Sequence, residues 1–153
     1  MPLPPGALAP DFSLLDQFGR TVRLSEIRAA QPVVLVFFPL AFSRTCEGEL
    51  GALRDELPLF ADAGVQLVGI SVDSKFALRA WAEEQGFDFP LLADFWPHGE
   101  VARAYDAFID ERGFAARATF VIDGDGVIRA AFATEPGEPR RLEQYREALA
   151  ALR

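Results

Sequence analysis

Six consecutive apolar residues, VVLVFF at positions 33–38, constrain this chain more than any other stretch. A strand with one face in water alternates apolar and polar side chains, so an unbroken run predicts a central strand covered on both faces. Extended to Phe42, the apolar stretch contains Pro39 and is too broken for a continuous helix and too short to cross a bilayer. The neighbouring segments supply the cover. Leu50, Leu53, Leu57 and Phe60 recur at helical spacing, a single stripe that Gly64 terminates, and residues 65–72 read as a second buried strand. Ser74 is the expected N-cap of a helix bearing Leu78, Trp81 and Ala82, which Gly86 stops. Residues 100–107 predict a short helix, and Leu142, Tyr145, Leu149 and Leu152 a C-terminal amphipathic one. Two hairpins complete the pattern: residues 12–15 with 21–24, and residues 118–122 with 127–133 about Asp123-Gly124-Asp125-Gly126. Parallel central strands joined by helices, with antiparallel hairpins, predict an α/β chain whose mixed sheet is flanked by helices.

With 153 residues, half of them apolar, the chain predicts one domain over residues 1–153 with a core of its own. A formal charge of −8 would repel a phosphate backbone, so nucleic-acid binding is not expected. The opening residues, MPLPPGALAPDF, lack the basic and apolar regions of a secretory signal, and with no membrane anchor in sight a cytoplasmic location is expected. One cysteine cannot form an internal disulfide, which suits a reducing compartment.

That cysteine, Cys46, is the candidate nucleophile. It sits just past the buried strand, where the helical stripe starts, in the spacing P-x-x-x-S-x-x-C with Pro39 and Ser43. A lone cysteine is ordinarily an inert core residue. In the first turn of a helix, however, it faces unpaired amide N–H groups and the positive end of the dipole, both of which favour a thiolate. Glu47 and Glu49 oppose that charge, so a cation is required nearby: Arg44, or an arginine folded over from elsewhere. Arg117, beside the strand 118–122, meets the description, but position alone does not select it, since a strand-end arginine is ordinarily solvated. His98, in the Trp96-Pro97-His98-Gly99 loop, offers a rival, a Cys46/His98 acyl-transfer or hydrolytic site, although a loop histidine beside proline reads as structural. One cysteine and one histidine make no metal cluster, Asp123 and Asp125 lack the twelve-residue calcium loop, and neither C-x-x-C nor a phosphate-binding glycine loop occurs. No metal or cofactor is expected.

The spacing P-x-x-x-[TS]-x-x-C, a later arginine before an apolar strand, and the segments APDFSL, VVLVFFPLAFSRTCEGEL, LLADFWPHGEVARAYDAF and RATFVIDGDGVIR together resemble the peroxiredoxins, thiol peroxidases on a thioredoxin-like scaffold. The resemblance covers nearly the whole chain and looks most like the one-cysteine alkyl hydroperoxide reductase E subfamily. It implies that Cys46 is the peroxidatic thiol, that Ser43 supplies a hydroxyl where the family more often has threonine, that Pro39 shields the site and that Arg117 completes it. Glu49, at C-x-x-E spacing, then looks like the family's supporting acid. Read from the residues alone, it is a solvated side chain on the first helical turn, and both readings stand.

Thiolate formation alone does not make a fast peroxidase. A thiol whose pKa falls from about 8.5 to about 6 gains about thirtyfold in thiolate at neutral pH, but loses about tenfold in intrinsic nucleophilicity. The remaining acceleration must come from donors, here Ser43 and Arg117, aimed at the peroxide oxygens where charge develops. With no second cysteine, the sulfenic acid formed at Cys46 needs an external thiol. The resemblance implies a low-molecular-weight thiol such as mycothiol, acting with a glutaredoxin- or thioredoxin-like partner. A non-catalytic redox sensor on the same scaffold is the second rival, separated by its lack of turnover. Self-association, as a homodimer or larger, is expected through the face bearing Phe42 and Trp96, aromatic residues of the kind enriched as interface anchors.

Overall fold

The computed structural model describes residues 2–152. The chain opens with the expected hairpin, β1 (Ser13–Asp16) and β2 (Thr21–Arg23), then enters a helix that the sequence pattern did not announce, α1 (Leu24–Ala30). Strand β3 (Val33–Phe37) follows, and every residue in it is buried. Alternation divides its load: Val34 and Val36 join one core cluster, while Val33, Leu35 and Phe37 join the cluster on the opposite face. Burying such side chains contributes roughly 1.5–3 kcal/mol each, which places β3 inside the sheet rather than at its edge.

The single apolar stripe after the cysteine is carried by two helices, α2 (Arg44–Asp55) and α3 (Leu57–Asp62). Pro58 is the reason. It has no N–H to continue the α2 ladder, yet is tolerated in the first turn of a new helix, so the chain restarts at Leu57. Leu50, Leu53 and Phe60 still pack into one cluster. Strand β4 (Gln66–Ser71) and α4 (Lys75–Gln85) come next. The Ser74 Oγ accepts the Ala77 N–H as its N-cap, and Gly86 closes α4 in the left-handed region, at φ 71°.

Three short strands lay outside the sequence expectation: β5 (Leu91–Ala93), and the two-stranded ribbon β6 (Phe108–Ile109) with β7 (Phe114–Ala115). Between them α5 (Glu100–Ala104) is shorter than expected. Asp106 turns left-handed at φ 56° and the Ala107 N–H reaches back to the Ala102 carbonyl, which ends the helix. Strands β8 (Arg117–Ile122) and β9 (Ile128–Thr134) form the second hairpin, and α6 (Leu142–Ala150) completes the chain.

The strand order is β2-β1-β5-β4-β3-β8-β9, with β3, β4 and β5 parallel and the rest antiparallel to their neighbours. The mixed sheet flanked by helices is the thioredoxin-like arrangement expected. Because β3, β4 and β5 run the same way, the segments that follow them emerge along one edge of the sheet. That edge carries the start of α2 and the 94–99 loop. No helix among the described residues is long and apolar enough to cross a membrane.

Candidate active site

Cys46 is the third residue of α2, in the turn nearest the sheet edge. Ser43 caps that helix: its Oγ accepts the Cys46 N–H at 3.3 Å, satisfying one of the orphan donors of the first turn. The bond uses an oxygen lone pair, so the Ser43 hydroxyl proton remains available for donation. Cys46 itself is 0% exposed, clustered with Phe38, Ala41 and Leu50. Glu49 and Leu50 lie one helical turn further along the same face and Leu53 two turns along, and all three are buried.

Strand alternation brings the cation from the other side. In β8, Ala118, Phe120 and Ile122 enter the opposite core cluster, which turns Arg117, Thr119 and Val121 toward α2 and α6. Arg117 is 2% exposed. Its Nη1 donates to Cys46 Sγ at 3.3 Å and to Glu49 Oε1 at 2.9 Å, and its Nε to the Pro136 carbonyl at 2.6 Å. Arg140, between β9 and α6, grips the same carboxylate. Its backbone N–H and Nε reach Glu49 Oε2 at 2.7 and 2.8 Å, and its Nη2 reaches Oε1 at 2.7 Å. Its Nη1 donates to Thr119 Oγ1 at 3.0 Å, and Thr119 donates onward to Tyr145 Oη at 3.3 Å.

Burial pushes the Glu49 carboxyl up, but the hydrogen bonds and charge of Arg140, with the charge of Arg117 behind them, outweigh it and hold the group below its ordinary value. Glu49 is therefore an ionised anchor between two guanidinium groups. The solvated reading of this residue is wrong. It fails because the spacing Cys46, Glu49, Leu50, Leu53 places the carboxylate on the inner face of α2, beside the apolar stripe, where only ion pairing makes burial tolerable. Two guanidinium groups against one carboxylate leave a surplus positive charge facing the sulfur. Of the two candidate cations, Arg117 is the one that lies against the sulfur, whereas Arg44 is exposed.

Pro39 is buried in the 39–42 loop that leads into Ser43. His98 donates from Nε2 to the Gly113 carbonyl at 2.7 Å and meets the Phe108 ring edge-on, a loop-fastening role. Asp123 Oδ1 accepts the Asp125 and Val127 N–H groups, as a turn residue does. Arg140, Thr119 and Tyr145 were not expected from the sequence. The one signal for Arg140 was indirect: a carboxylate on the inner face of α2 has more lone pairs than Arg117 alone can fill.

A buried thiol in the first turn of a helix, faced by a paired arginine on a mixed thioredoxin-like sheet, defines a thiol-dependent redox enzyme. Comparison with known proteins narrows the class. The AhpC/TSA family matches residues 5–131. Alkyl hydroperoxide reductase E of Mycobacterium tuberculosis is 50% identical over 147 residues, 96% of each chain, and a chloroplastic 2-cysteine peroxiredoxin of Chattonella marina is 35% identical over 134 residues, 81% of this chain and 67% of that one. Among solved structures, the peroxidoxin BcpB of M. tuberculosis superposes with a TM-score of 0.83 at 32% identity, covering 98% of this chain and 96% of that one. The reduced 2-Cys peroxiredoxin of Plasmodium vivax gives 0.87 at 26%, covering 99% and 82%. The chain belongs to the AhpC/TSA family and is a peroxiredoxin. With one cysteine in its sequence, it is a thiol peroxidase of the one-cysteine kind.

Proposed function

We propose that the chain reduces hydrogen peroxide and organic hydroperoxides at Cys46, with Arg117, Ser43 and Pro39 forming the site and Glu49 holding Arg117 in place. The observation that carries this reading is the contact of Arg117 Nη1 with a fully buried Cys46 sulfur, at 3.3 Å. In the first step the sulfur attacks one oxygen of ROOH. An S–O bond forms, the O–O bond breaks and the departing RO⁻ takes up a proton as the alcohol, or as water from hydrogen peroxide. Cys46 is thereby oxidised by two electrons to the sulfenic acid. Arg117 and the Ser43 hydroxyl are the donors for the charge that builds on the oxygens. Pro39, lacking an N–H and buried in the loop, limits water access.

An external thiol then attacks the sulfenic sulfur, water leaves, and a second thiol releases Cys46 from the mixed disulfide. We assign this work to a low-molecular-weight thiol such as mycothiol with a glutaredoxin- or thioredoxin-like protein, in the reducing cytoplasm. An external reductant is supported by the single cysteine of the sequence, which leaves no resolving thiol, and the choice of thiol by the resemblance to the alkyl hydroperoxide reductase E subfamily. Excess peroxide without such a thiol is therefore expected to drive Cys46 to the sulfinic and sulfonic acids, seen as successive oxygen increments in the intact mass. A disulfide-linked dimer as the main product would replace this cycle with resolution between subunits.

The reading includes a homodimer or larger assembly. Phe42 is 46% exposed, Phe95 53% and Trp96 81%, and both loops lie along the sheet edge that carries α2. Exposed aromatic residues in such a cluster favour an interface. Sedimentation at micromolar protein is expected to give a dimer or larger, and Phe42→Asp to shift it toward monomer with impaired turnover. A fully active wild-type monomer would contradict the assembly.

A further inference from the structure

The loop that delivers Ser43 to the head of α2 adopts a conformation it would not hold unaided. Phe42 sits in the left-handed region at φ 68°, which a bulky side chain disfavours. Its ring is about half exposed, with one side against Trp81 at 6.2 Å between centroids, and Leu40 is 40% exposed, so side-chain packing holds these two positions only in part. A polar tie comes from beyond the end of β4. Asp73 Oδ2 accepts the Ala41 N–H at 2.8 Å and also the Ser71 hydroxyl at 2.7 Å, while Ser71 Oγ accepts the Asp73 N–H at 3.3 Å. Ser71 is fully buried in the central sheet. The carboxylate is thus fixed to the sheet and reaches across to the backbone next to Phe42, two residues before Ser43. Ala41 in turn belongs to the same core cluster as Cys46.

We propose that Asp73 is a positioning residue for the peroxide step. By fixing Ala41 it sets where the Ser43 hydroxyl stands and how the loop packs beside the sulfur. The inference rests on reading Cys46 as the peroxidatic thiol. Attack on a peroxide needs donors and sulfur held in a near-attack arrangement, and small misplacements there are costly in rate. Reduction of the sulfenic acid makes a different demand. A thiol bulkier than peroxide must reach a sulfur that is closed to solvent, and a looser loop does not hinder it. Asp73 therefore favours one half-reaction without favouring the other.

The test measures the two half-reactions separately by rapid mixing. Oxidation by hydrogen peroxide is read by alkylation quench and intact mass. Reduction of the sulfenic acid is read from the absorbance of thionitrobenzoate as it forms the mixed disulfide and water. Asp73→Ala is expected to oxidise about 10- to 100-fold more slowly, with the thionitrobenzoate step at or above the wild-type rate. Asp73→Asn keeps an oxygen for the Ala41 N–H and should stay within about fivefold of wild type, the worth of one weakened hydrogen bond. Because the effect passes through Ser43, Asp73→Ala should cost much less in a Ser43→Ala background than alone. Ser71→Ala, which removes one anchor of the carboxylate, should slow oxidation in the same direction and serves if Asp73→Ala does not fold. Oxidation within twofold of wild type in both Asp73→Ala and Ser71→Ala, equal losses in both half-reactions, or effects that multiply fully with Ser43→Ala would each overturn the proposal. If wild type forms no sulfenic acid, the reading of Cys46 fails and this inference falls with it.

Discussion

Arg117→Ala is expected to slow oxidation of Cys46 by about 10²- to 10³-fold, the usual loss when a donor to developing charge is removed from a closed site. Cys46→Ser sets the zero of the same assay, with no peroxide consumed. The effect of Arg117→Ala should fall on rate rather than on folding. Glu49 keeps three bonds from Arg140 in the variant, so no buried carboxylate is left unpaired. One alkylatable thiol per chain in denaturant, with a wild-type unfolding curve, would separate lost chemistry from lost structure. Arg117→Lys should recover only part of the rate. A single ammonium cannot reproduce the fork that meets the sulfur, the carboxylate and the Pro136 carbonyl together. Wild-type rates in Arg117→Ala would remove this residue from the reaction.

The largest stability effect is expected at Glu49. Glu49→Gln leaves two almost fully buried guanidinium groups without their shared anion, and breaking a buried pair from one side costs about 3–5 kcal/mol. The same carboxylate makes the protein acid-sensitive in a defined direction. Its folded-state pKa lies below the ordinary value near 4.5, so around that pH the unfolded chain binds more protons than the folded one. Its stabilisation is therefore fully present above about pH 4.5 and is lost as pH falls through the folded-state value. Urea unfolding at neutral pH should show the full gap between wild type and Glu49→Gln, and the gap should narrow in acid. A loss below about 1 kcal/mol at neutral pH would put the cluster on a par with a surface ion pair.

How much of this was legible in the sequence depended on the kind of signal. The uninterrupted VVLVFF run marked β3 as central, because only a strand buried on both faces tolerates it. Ser74 and Gly86 marked both ends of α4 through local backbone chemistry. Strand β5 escaped because three residues carry too little periodicity, although it joins the N-terminal hairpin to the parallel strands. The break at Pro58 is masked in the sequence by the apolar stripe, which keeps its helical spacing across the proline. At the site, Cys46 stood out by its position at the head of a helix, and Ser43 by its spacing from Cys46 and by resemblance. Glu49 was half legible: its spacing from Leu50 and Leu53 put it on the inner face, but burial of an acid is credible only once its partners are known. Arg117 was selected by resemblance. Arg140 left only an indirect signal, since it comes from an irregular segment 91 residues away from Glu49 and only the fold brings them together.

The most direct test of the account is the rate at which one equivalent of hydrogen peroxide oxidises Cys46 in the folded protein and in the same protein unfolded in urea. Burial alone would protect the thiol, and the unfolded chain would react faster. An active site built around Arg117 and Ser43 reverses the order. Oxidation is expected to be much faster in the folded state, ending at a single added oxygen that dimedone traps on Cys46. Slower oxidation in the folded state than in the unfolded one would contradict it.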